Sequence, residues 1–334
     1  VVSAVIFVAT SCVSPLTGFA FWETNLAYEG ESIYNYLQVK NLSDRTILST
    51  NVLFGVQSVT MKDKGLTGMY YDTALAAPAL TDNANSALIL GMGTGTYARQ
   101  LKQYYPKMNI TGVEIDQKIT DLAGEYFDEP ADIPVTTYDG RAWLAASHDK
   151  YDVIMVDAYQ DITIPFQMSS TEFFTMVREH LNPGGVMVVN MNMISDGQGS
   201  INEALSDTIA SVFGNGNTLT ADVPNTTNRE LFAKKPGSGS EENSMQQASK
   251  ALNLRETTYE RTGSEDLEWY MEEVASRFRK VNEPDSASTI LTDDKAPVEV
   301  LGMHAIDQII ADEAGPYRQI LKDEGFGGLL RAVQ

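Results

Sequence analysis

The most constraining feature of this chain is an apolar segment that runs into a glycine-rich turn, followed by a second apolar segment that ends in acidic residues. The first is 87–96 (ALILGMGTGT) and the second is 112–116 (GVEID). A strand, a glycine turn and a helix N-terminus together present free backbone N–H groups to a ligand. A carboxylate at the end of the next strand can accept hydrogen bonds from ribose hydroxyls. The sequence therefore predicts a nucleotide site at the edge of an α/β sheet.

The middle of the chain alternates apolar strands with helices, which is the pattern of a parallel sheet covered on both faces. The segment 184–191 (GGVMVVNM) is apolar nearly throughout, as a strand buried on both sides should be. Two later strands should add an antiparallel hairpin at one edge, which makes a mostly parallel sheet of seven strands. The predicted strands are 86–91, 109–114, 134–138, 151–157, 184–191, 217–223 and 229–234, and the predicted helices are 95–105, 117–127, 141–146, 170–181, 200–213, 243–254, 265–280 and a last one from about 303.

The segment before this sheet has a different pattern. Polar and apolar positions alternate between residues 32 and 60 around a turn at 41–45, which predicts a small antiparallel sheet. We therefore divide the chain into a predicted transmembrane or anchor segment (1–24), an N-terminal β-domain (25–80) and a Rossmann-like nucleotide-binding catalytic domain (81–334).

Residues 1–22 carry no charge, and their number suits a membrane span. The alternative is a buried helix or a pair of strands in the soluble part of the protein. If the segment is an anchor, the protein is membrane-associated, and we expect the remainder in the cytoplasm, because a nucleotide donor is made there.

The chain is strongly acidic, with 45 Asp and Glu against 24 Lys and Arg and a formal net charge of −21. Phosphate binding needs clustered basic side chains, so the charge argues against a nucleic-acid partner. A small cationic ligand such as a polyamine fits this balance better. The single cysteine, Cys12, allows no intrachain disulfide, and the three histidines lack metal-binding spacing, so we predict no metal.

Five carboxylates follow the ends of predicted strands. Because parallel strands end at the same edge of a sheet, these side chains should converge. Each one alone could be a helix cap or a turn residue. Clustered carboxylates repel one another, however, and a cationic ligand would offset that cost. They are Glu114, Asp116, Asp139, Asp157 and Asp161.

The order of these motifs resembles the spermidine synthases, the polyamine aminopropyltransferases, and most of all their divergent branch that is fused to a membrane domain. The resemblance covers roughly residues 28–301. It is carried by ALILGMGTGT, GVEID, YDGR, YDVIMVDAY and IPFQMSSTEFFTMVREHLNPGGVMVVN, with ESIYNYLQV, GVQS and YYDTALAAPAL upstream and LTDDKAPVEVL as a closing motif.

The resemblance implies a methyltransferase-like Rossmann fold that binds decarboxylated S-adenosylmethionine. An acceptor amine would attack the carbon next to the sulfonium, and methylthioadenosine would leave. Asp157 would be the catalytic carboxylate that orients the amine and accepts its proton, and Glu114 would hold the ribose. The other residues assigned to the donor are Gln57, Gly91, Gly93, Gly95, Asp139 (at the adenine amino group), Gly140 and Pro165. The candidates for the acceptor pocket are Tyr71, Asp161 and Glu299. We also expect a homodimer.

Two positions depart from the family pattern. Thr94 stands where the family's glycine motif carries an Asp that helps to bind the donor's amine, and Gln160 stands where the loop after the fourth strand carries a second Asp. With hydroxyls at Thr94 and Thr96, the turn would also suit the carboxylate of ordinary S-adenosylmethionine. The alternatives are thus an S-adenosylmethionine-dependent methyl or aminocarboxypropyl transferase, or a non-catalytic domain that binds a nucleoside or polyamine. We interpret Tyr70 as a packing residue and Asp293 as a cap or salt-bridge residue.

Overall fold

The computed structural model describes residues 23–51, 56–128, 132–158, 164–191, 199–237 and 254–303, together with positions 18, 20, 130, 197 and 322. The described residues form two sheets. One is a four-stranded antiparallel sheet near the N-terminus, and the other is an eight-stranded, mostly parallel sheet flanked by helices. This arrangement confirms the predicted fold class.

The N-terminal sheet is a meander in which each strand pairs with the next one along the chain. Tight connections make this possible: the N–H of Leu42 donates to the carbonyl of Arg45 (2.8 Å) and closes the predicted turn. The first strand was not predicted, because only half-buried and exposed positions occur along it. The strands are β1 (Leu26–Glu31), β2 (Tyr36–Asn41), β3 (Arg45–Thr50) and β4 (Ser58–Met61).

Two short helices, α1 (Tyr70–Ala74) and α2 (Ala76–Leu80), lead into the larger sheet. Its strand order is β12-β10-β11-β9-β8-β5-β6-β7, with parallel pairing from β9 to β7 and antiparallel pairing from β9 to β12. The strands are β5 (Ser86–Leu90), β6 (Asn109–Glu114), β7 (Val135–Thr137), β8 (Tyr151–Val156), β9 (Leu181–Met191), β10 (Thr218–Asp222), β11 (Arg229–Lys234) and β12 (Arg279–Lys280). The helices are α3 (Thr96–Tyr104), α4 (Gln117–Tyr126), α5 (Gly140–Ala146), α6 (Thr171–His180), α7 (Ile201–Phe213), α8 (Leu254–Thr262) and α9 (Glu265–Arg277).

Apolar side chains on both faces of the central strands form the core. On β5, β8 and β9, the residues Ile89, Met155 and Val188 pack with α1, α2, α3 and α9. Their neighbours Leu88 and Ile154 point to the other face, towards α5, α6 and α7. Burial on both faces explains why these strands contain unbroken apolar runs rather than an alternating pattern.

Three local differences from the predicted elements have physical causes. The predicted turn before residue 184 lies inside β9, where the pairing with β8 slips and the partners jump from Leu181 to Val186. The predicted helix 265–280 ends earlier, because residues 279–280 pair with β10 as an eighth strand. Helix α8 was not predicted, since its sequence is mostly polar and its place depends on packing against α2 and α9. The predicted helices at 243–254 and from about 303 lie almost wholly outside the described residues.

The N-terminal sheet is fastened over the carboxyl edge of the larger sheet. The hydroxyl of Thr96, at the start of α3, donates to the carbonyl of Val59 (2.8 Å) and accepts from the N–H of the same residue (3.1 Å). The carboxylate of Asp116 accepts from the Ser32 hydroxyl (2.5 Å) and the Asn35 amide (3.1 Å). The N-terminal sheet therefore forms one wall of any site at that edge.

Within the described part of the chain, no helix combines the length and hydrophobicity that a membrane span requires. The segment 1–22, for which a span was predicted, lies almost wholly outside that part. Membrane association therefore stays a prediction.

Candidate active site

A cavity of about 380 Å³ lies at the carboxyl ends of β5, β6, β8 and β9, beneath the N-terminal sheet. It brings together most of the residues that the sequence singled out. Gly95 and Glu299 are not among the residues that line it, and Asp161 lies outside the described residues. The predicted residues that line it are Gln57, Tyr71, Gly91, Gly93, Glu114, Asp139, Gly140, Asp157 and Pro165.

The glycine turn is required by close packing as much as by any ligand. A Cβ atom on Gly91 would lie 2.3 Å from the carbonyl oxygen of Asp157, and one on Gly93 would lie 2.7 Å from the Ser58 hydroxyl. Gly91, Gly93 and Gly95 all have positive φ angles, which favour glycine. Gly95 serves as the N-cap residue of α3. The turn thus brings the end of β5 against β8 and β4 and leaves room for a ligand only at Gly91 and Gly93.

Glu114 is held by backbone groups. One carboxylate oxygen accepts the N–H of Gly93 (2.8 Å), and the other accepts the N–H of Asp116 (3.0 Å). Burial raises the pKa of Glu114, while these two hydrogen bonds act in the opposite direction. Each oxygen keeps a lone pair that can accept a hydroxyl from a ligand in the cavity.

Two of the predicted site carboxylates are helix caps. Asp116 accepts from the N–H of Lys118 (3.0 Å) and also holds the N-terminal sheet, so the structure does not bring it to the cavity. Asp139 accepts from the N–H of Ala142 (2.8 Å) at the start of α5 and also lines the cavity. The expected convergence of five carboxylates on a ligand is therefore corrected to three described ones: Glu114, Asp139 and Asp157.

Asp157 is held by side chains. One oxygen accepts the Tyr70 hydroxyl (2.7 Å), and the other accepts the Asn190 amide (3.0 Å), whose own oxygen accepts from Asn228 (2.9 Å). Burial raises the pKa of Asp157 to about 7; the bonds from Tyr70 and Asn190 oppose this shift, and the charge of Glu114 adds to it. A carboxyl with this pKa exchanges a proton readily near neutral pH.

Sequence reasoning missed Tyr70, Asn190 and Asn228. The packing interpretation of Tyr70 was incomplete: its ring lies 4.0 Å from that of Tyr71, but its hydroxyl bonds to Asp157. Asn190 lies near the carboxyl end of β9, so the same strand-end argument that selected Asp157 could have found it. Nothing local in the sequence marks Asn228, which reaches the site only through strand pairing.

The Tyr71 hydroxyl donates to the backbone carbonyl of Gln57 (2.7 Å) rather than to another side chain. Gln57 in turn is held to β3 by a bond from its N–H to the carbonyl of Leu48 (2.8 Å). Burial raises the pKa of Tyr71, so its hydroxyl remains protonated. This hydrogen bond joins α1 to the segment before β4, and both residues line the cavity.

Comparisons with known proteins agree with this architecture. Residues 69–235, half of the chain, match the profile of the family described as the spermine/spermidine synthase domain. The chain belongs to the spermine/spermidine synthase family.

Curated relatives bear the name polyamine aminopropyltransferase. The one from Vibrio vulnificus is 28% identical over 60% of this chain and 69% of its own length. The one from Corynebacterium efficiens is 37% identical over 36% of this chain and 25% of its own length. A solved structure, of a probable spermidine synthase from Corynebacterium glutamicum, has a TM-score of 0.55 at 21% identity and covers 80% of this chain and 99% of that one. This likeness confirms the predicted methyltransferase-like fold, whereas the membrane-fused branch stays a prediction.

The expectation that Thr94 and Thr96 offer hydroxyls to a ligand is wrong. Neither residue lines the cavity, and both are buried. The Thr96 hydroxyl is used to fasten β4, and the Thr94 hydroxyl has no hydrogen-bond partner in the described part of the chain. The departure from the family's Asp at position 94 therefore leaves an inward-facing side chain instead of a new carboxylate-binding surface.

The closing motif of this family member joins α5 to the N-terminus of α6. Asp293 accepts two bonds from the Arg141 guanidinium (2.7 and 2.6 Å) and one from the Ser170 hydroxyl (2.5 Å), so its interpretation as a salt-bridge residue is confirmed. Arg141 holds the pKa of Asp293 below its usual range. Glu299 is exposed in the helical segment 298–303, outside the set that lines the cavity, and we do not carry its acceptor role forward.

Among the residues that the structure describes, no three His, Cys, Asp or Glu side chains converge as a metal site would require.

Proposed function

We propose that this chain transfers an aminopropyl group from decarboxylated S-adenosylmethionine to an amine and releases methylthioadenosine. The observation that carries the proposal is Asp157, a carboxyl with a pKa of about 7 that lines the same cavity as Glu114. Family membership and the name of the curated relatives support the same reaction class.

The nucleoside lies at the end of the cavity that β5, β6 and α5 form. Glu114 accepts the ribose hydroxyls, Asp139 accepts the adenine amino group, and Gly140 and Pro165 line the base. Support comes from the free lone pairs of Glu114 and from its fixed position against the glycine turn. Gly91 and Gly93 let the donor approach the backbone.

The acceptor amine lies beside Asp157 and contacts Gln57 and Tyr71, which line the same cavity. The ammonium form of the amine gives a proton to the Asp157 carboxylate and becomes the nucleophile. Its lone pair then forms a bond to the carbon next to the sulfonium, the C–S bond breaks, and its electron pair stays on sulfur as neutral methylthioadenosine leaves. The new secondary ammonium releases its proton to solvent or to another acceptor.

The role of the cavity is mainly to place two cations in line. Bringing the amine and the sulfonium carbon together in the correct geometry can account for about 7–11 kcal/mol of the barrier. A general base near its working pH contributes typically about 10²–10⁴-fold in rate. Carboxylates at both ends offset the positive charge of the two substrates.

Titration calorimetry with decarboxylated and ordinary S-adenosylmethionine tests the donor. We expect the decarboxylated form to bind more tightly and to yield methylthioadenosine when a panel of linear diamines is added. Preference for the ordinary form would contradict the aminopropyl assignment. Binding of the decarboxylated form without methylthioadenosine release, over the whole panel, would favour a binding domain.

A further inference from the structure

Glu230, on β11, is a fully buried carboxyl group outside the set of residues that line the cavity. Neither of its side-chain oxygens has a hydrogen-bond partner in the described part of the chain. A buried polar group without a partner costs free energy, typically about 1–3 kcal/mol and more for a charged one. A residue retained at such a cost calls for an explanation beyond packing.

Strand pairing places Glu230 beside the network that holds Asp157. On the antiparallel pair β9–β11, Glu230 lies opposite Asn190, so the two side chains project from the same face of the sheet. Asn190 donates directly to Asp157. On the other side, β10 contributes only the methyl group of Ala221 opposite Glu230.

The titratable neighbours of Glu230 on this face leave it without a donor. The hydroxyl of Tyr97, on α3, donates to the carbonyl of Ala74, and the hydroxyls of Tyr70 and Tyr71, on α1, donate to Asp157 and Gln57. The buried Asp72 of α1 accepts from Thr67, Gly68 and Gln100 instead.

Among the described charged groups, Asp157 interacts electrostatically with Glu230, and the negative charges of the two carboxylates repel each other. Burial first, and then the charge of Asp157, hold the pKa of Glu230 well above its usual range. The raised pKa favours the neutral carboxylic acid form of Glu230 beside an ionised Asp157.

We propose that Glu230 is a second ionisable carboxyl group beside the site of the acceptor amine. It is neutral while the cavity is free of cations, and it is ionised when cationic substrates lie beside Asp157. This inference rests on the proposed function, because it needs a cationic donor and a cationic amine. In the interior, where the effective dielectric constant is low, positive charges in the cavity stabilise the Glu230 anion. Its O–H bond breaks, the electron pair stays on oxygen, and the proton passes to the buffer. Substrate binding is then linked to proton release.

Calorimetry in two buffers with different ionisation enthalpies measures this release. At about pH 8, above the Asp157 pKa of about 7, Asp157 is already mostly ionised. We expect the wild-type protein to release a substantial fraction of a proton when 1,4-diaminobutane binds to its methylthioadenosine complex, a pair of ligands that cannot react, and the Glu230→Gln variant to release much less. Neutral methylthioadenosine should cause no release in either protein.

A matched control is Asp207→Asn on α7, which removes another partly desolvated carboxyl that faces away from the cavity. This variant should keep the wild-type proton release. Equal release by wild type and Glu230→Gln would overturn the role of Glu230 while leaving the proposed function intact. Failure of the wild-type protein to bind either cation would instead overturn the proposed function, and the inference with it.

An infrared difference spectrum gives a second readout that needs no variant to retain activity. Addition of 1,4-diaminobutane to the methylthioadenosine complex, which cannot react, should remove the carbonyl band of a buried protonated carboxyl group, and Glu230→Gln should lack that change. Persistence of the band in the saturated wild-type protein would contradict the proposal.

Discussion

Glu114 and Asp157 are carboxylates at the same edge of one sheet, yet they are held in different ways. Glu114 accepts backbone N–H groups from Gly93 and Asp116, whereas Asp157 accepts side-chain donors from Tyr70 and Asn190. Backbone donors are part of the fold itself and hold Glu114 in one place. Side-chain donors can be exchanged without rebuilding the sheet, so evolution can adjust the proton affinity of Asp157 separately. The nucleoside end is thus a fixed feature of the fold, and the acceptor end is a tunable one.

The largest effect should come from Asp157→Asn. This variant keeps the shape of the side chain but cannot accept a proton, so we expect turnover to fall by about 10²–10⁴-fold while nucleoside affinity stays nearly the same. Methylthioadenosine release and methylthioadenosine binding measure the two quantities. Undiminished turnover in this variant would show that Asp157 is not the proton acceptor. A loss of nucleoside affinity as large as the loss of turnover would show that Asp157 also holds the nucleoside, and the contrast with Glu114 would be wrong.

Glu114→Gln should act at the other end. Hydrogen bonds to charged groups contribute about 1.5–3 kcal/mol, so nucleoside affinity should fall by roughly 10- to 100-fold. Asp121→Asn is the matched control, since Asp121 is an exposed carboxylate on α4 that bonds to Gln117 and lies outside the cavity lining. Calorimetry with methylthioadenosine should show a loss for the first variant and not for the second; the same affinity in both would contradict the ribose contact.

Thr96→Val and Thr94→Val separate the structural part of the glycine turn from its ligand-binding part. Removing the Thr96 hydroxyl leaves the buried N–H of Val59 without this partner, although the Val59 carbonyl still accepts from the Arg99 guanidinium (2.9 Å), so the free energy of unfolding should fall by about 1–3 kcal/mol. Removing the Thr94 hydroxyl, which has no partner in the described part of the chain, should be neutral or stabilising. Chemical denaturation measures both. A loss of donor affinity in Thr94→Val without loss of stability would show that the Thr94 hydroxyl contacts the donor.

The smallest effect should come from Tyr70→Phe. Its hydrogen bond lowers the pKa of Asp157, so its removal should raise that pKa above about 7. Because Asp157 must be ionised to accept a proton, the acid limb of the rate profile should move to higher pH, with a few-fold lower rate at neutral pH. Tyr97→Phe removes a buried hydroxyl that bonds to the carbonyl of Ala74 and should leave the limb in place. An unshifted limb in Tyr70→Phe would show that the Tyr70 bond does not tune Asp157.

The parallel sheet could be predicted because its elements have strong local signals. β5 and β8 each contain an unbroken apolar run (87–90 and 153–156), and Asp116, Asp139 and Ser170 each cap the helix that follows in sequence. The positions of β12 and α8 could not be predicted in the same way. β12 exists only because β10 offers an unpaired edge, and α8 depends on packing rather than on its own periodicity.

The residues of the candidate site also separate into those that local sequence signals could predict and those that they could not. Glu114, Asp139 and Asp157 end strands or begin helices, so position in the sequence was enough to select them. Thr94 was assigned wrongly because the sequence does not show which way a turn side chain points. Glu299 was selected from motif resemblance, and the structure places it in an exposed helix.

The sequence by itself determined the sheet, the glycine turn and which carboxylates lie at its carboxyl edge, because those depend on hydrophobic periodicity and local backbone conformation. Only the tertiary structure decided that Asp116 is used to hold the N-terminal sheet, that Tyr70 and Asn190 hold Asp157, and that Glu230 is buried beside them without a partner. These contacts join residues far apart in the chain. They depend on which strands pair and on what fills the space between them, and no local pattern in the sequence encodes that.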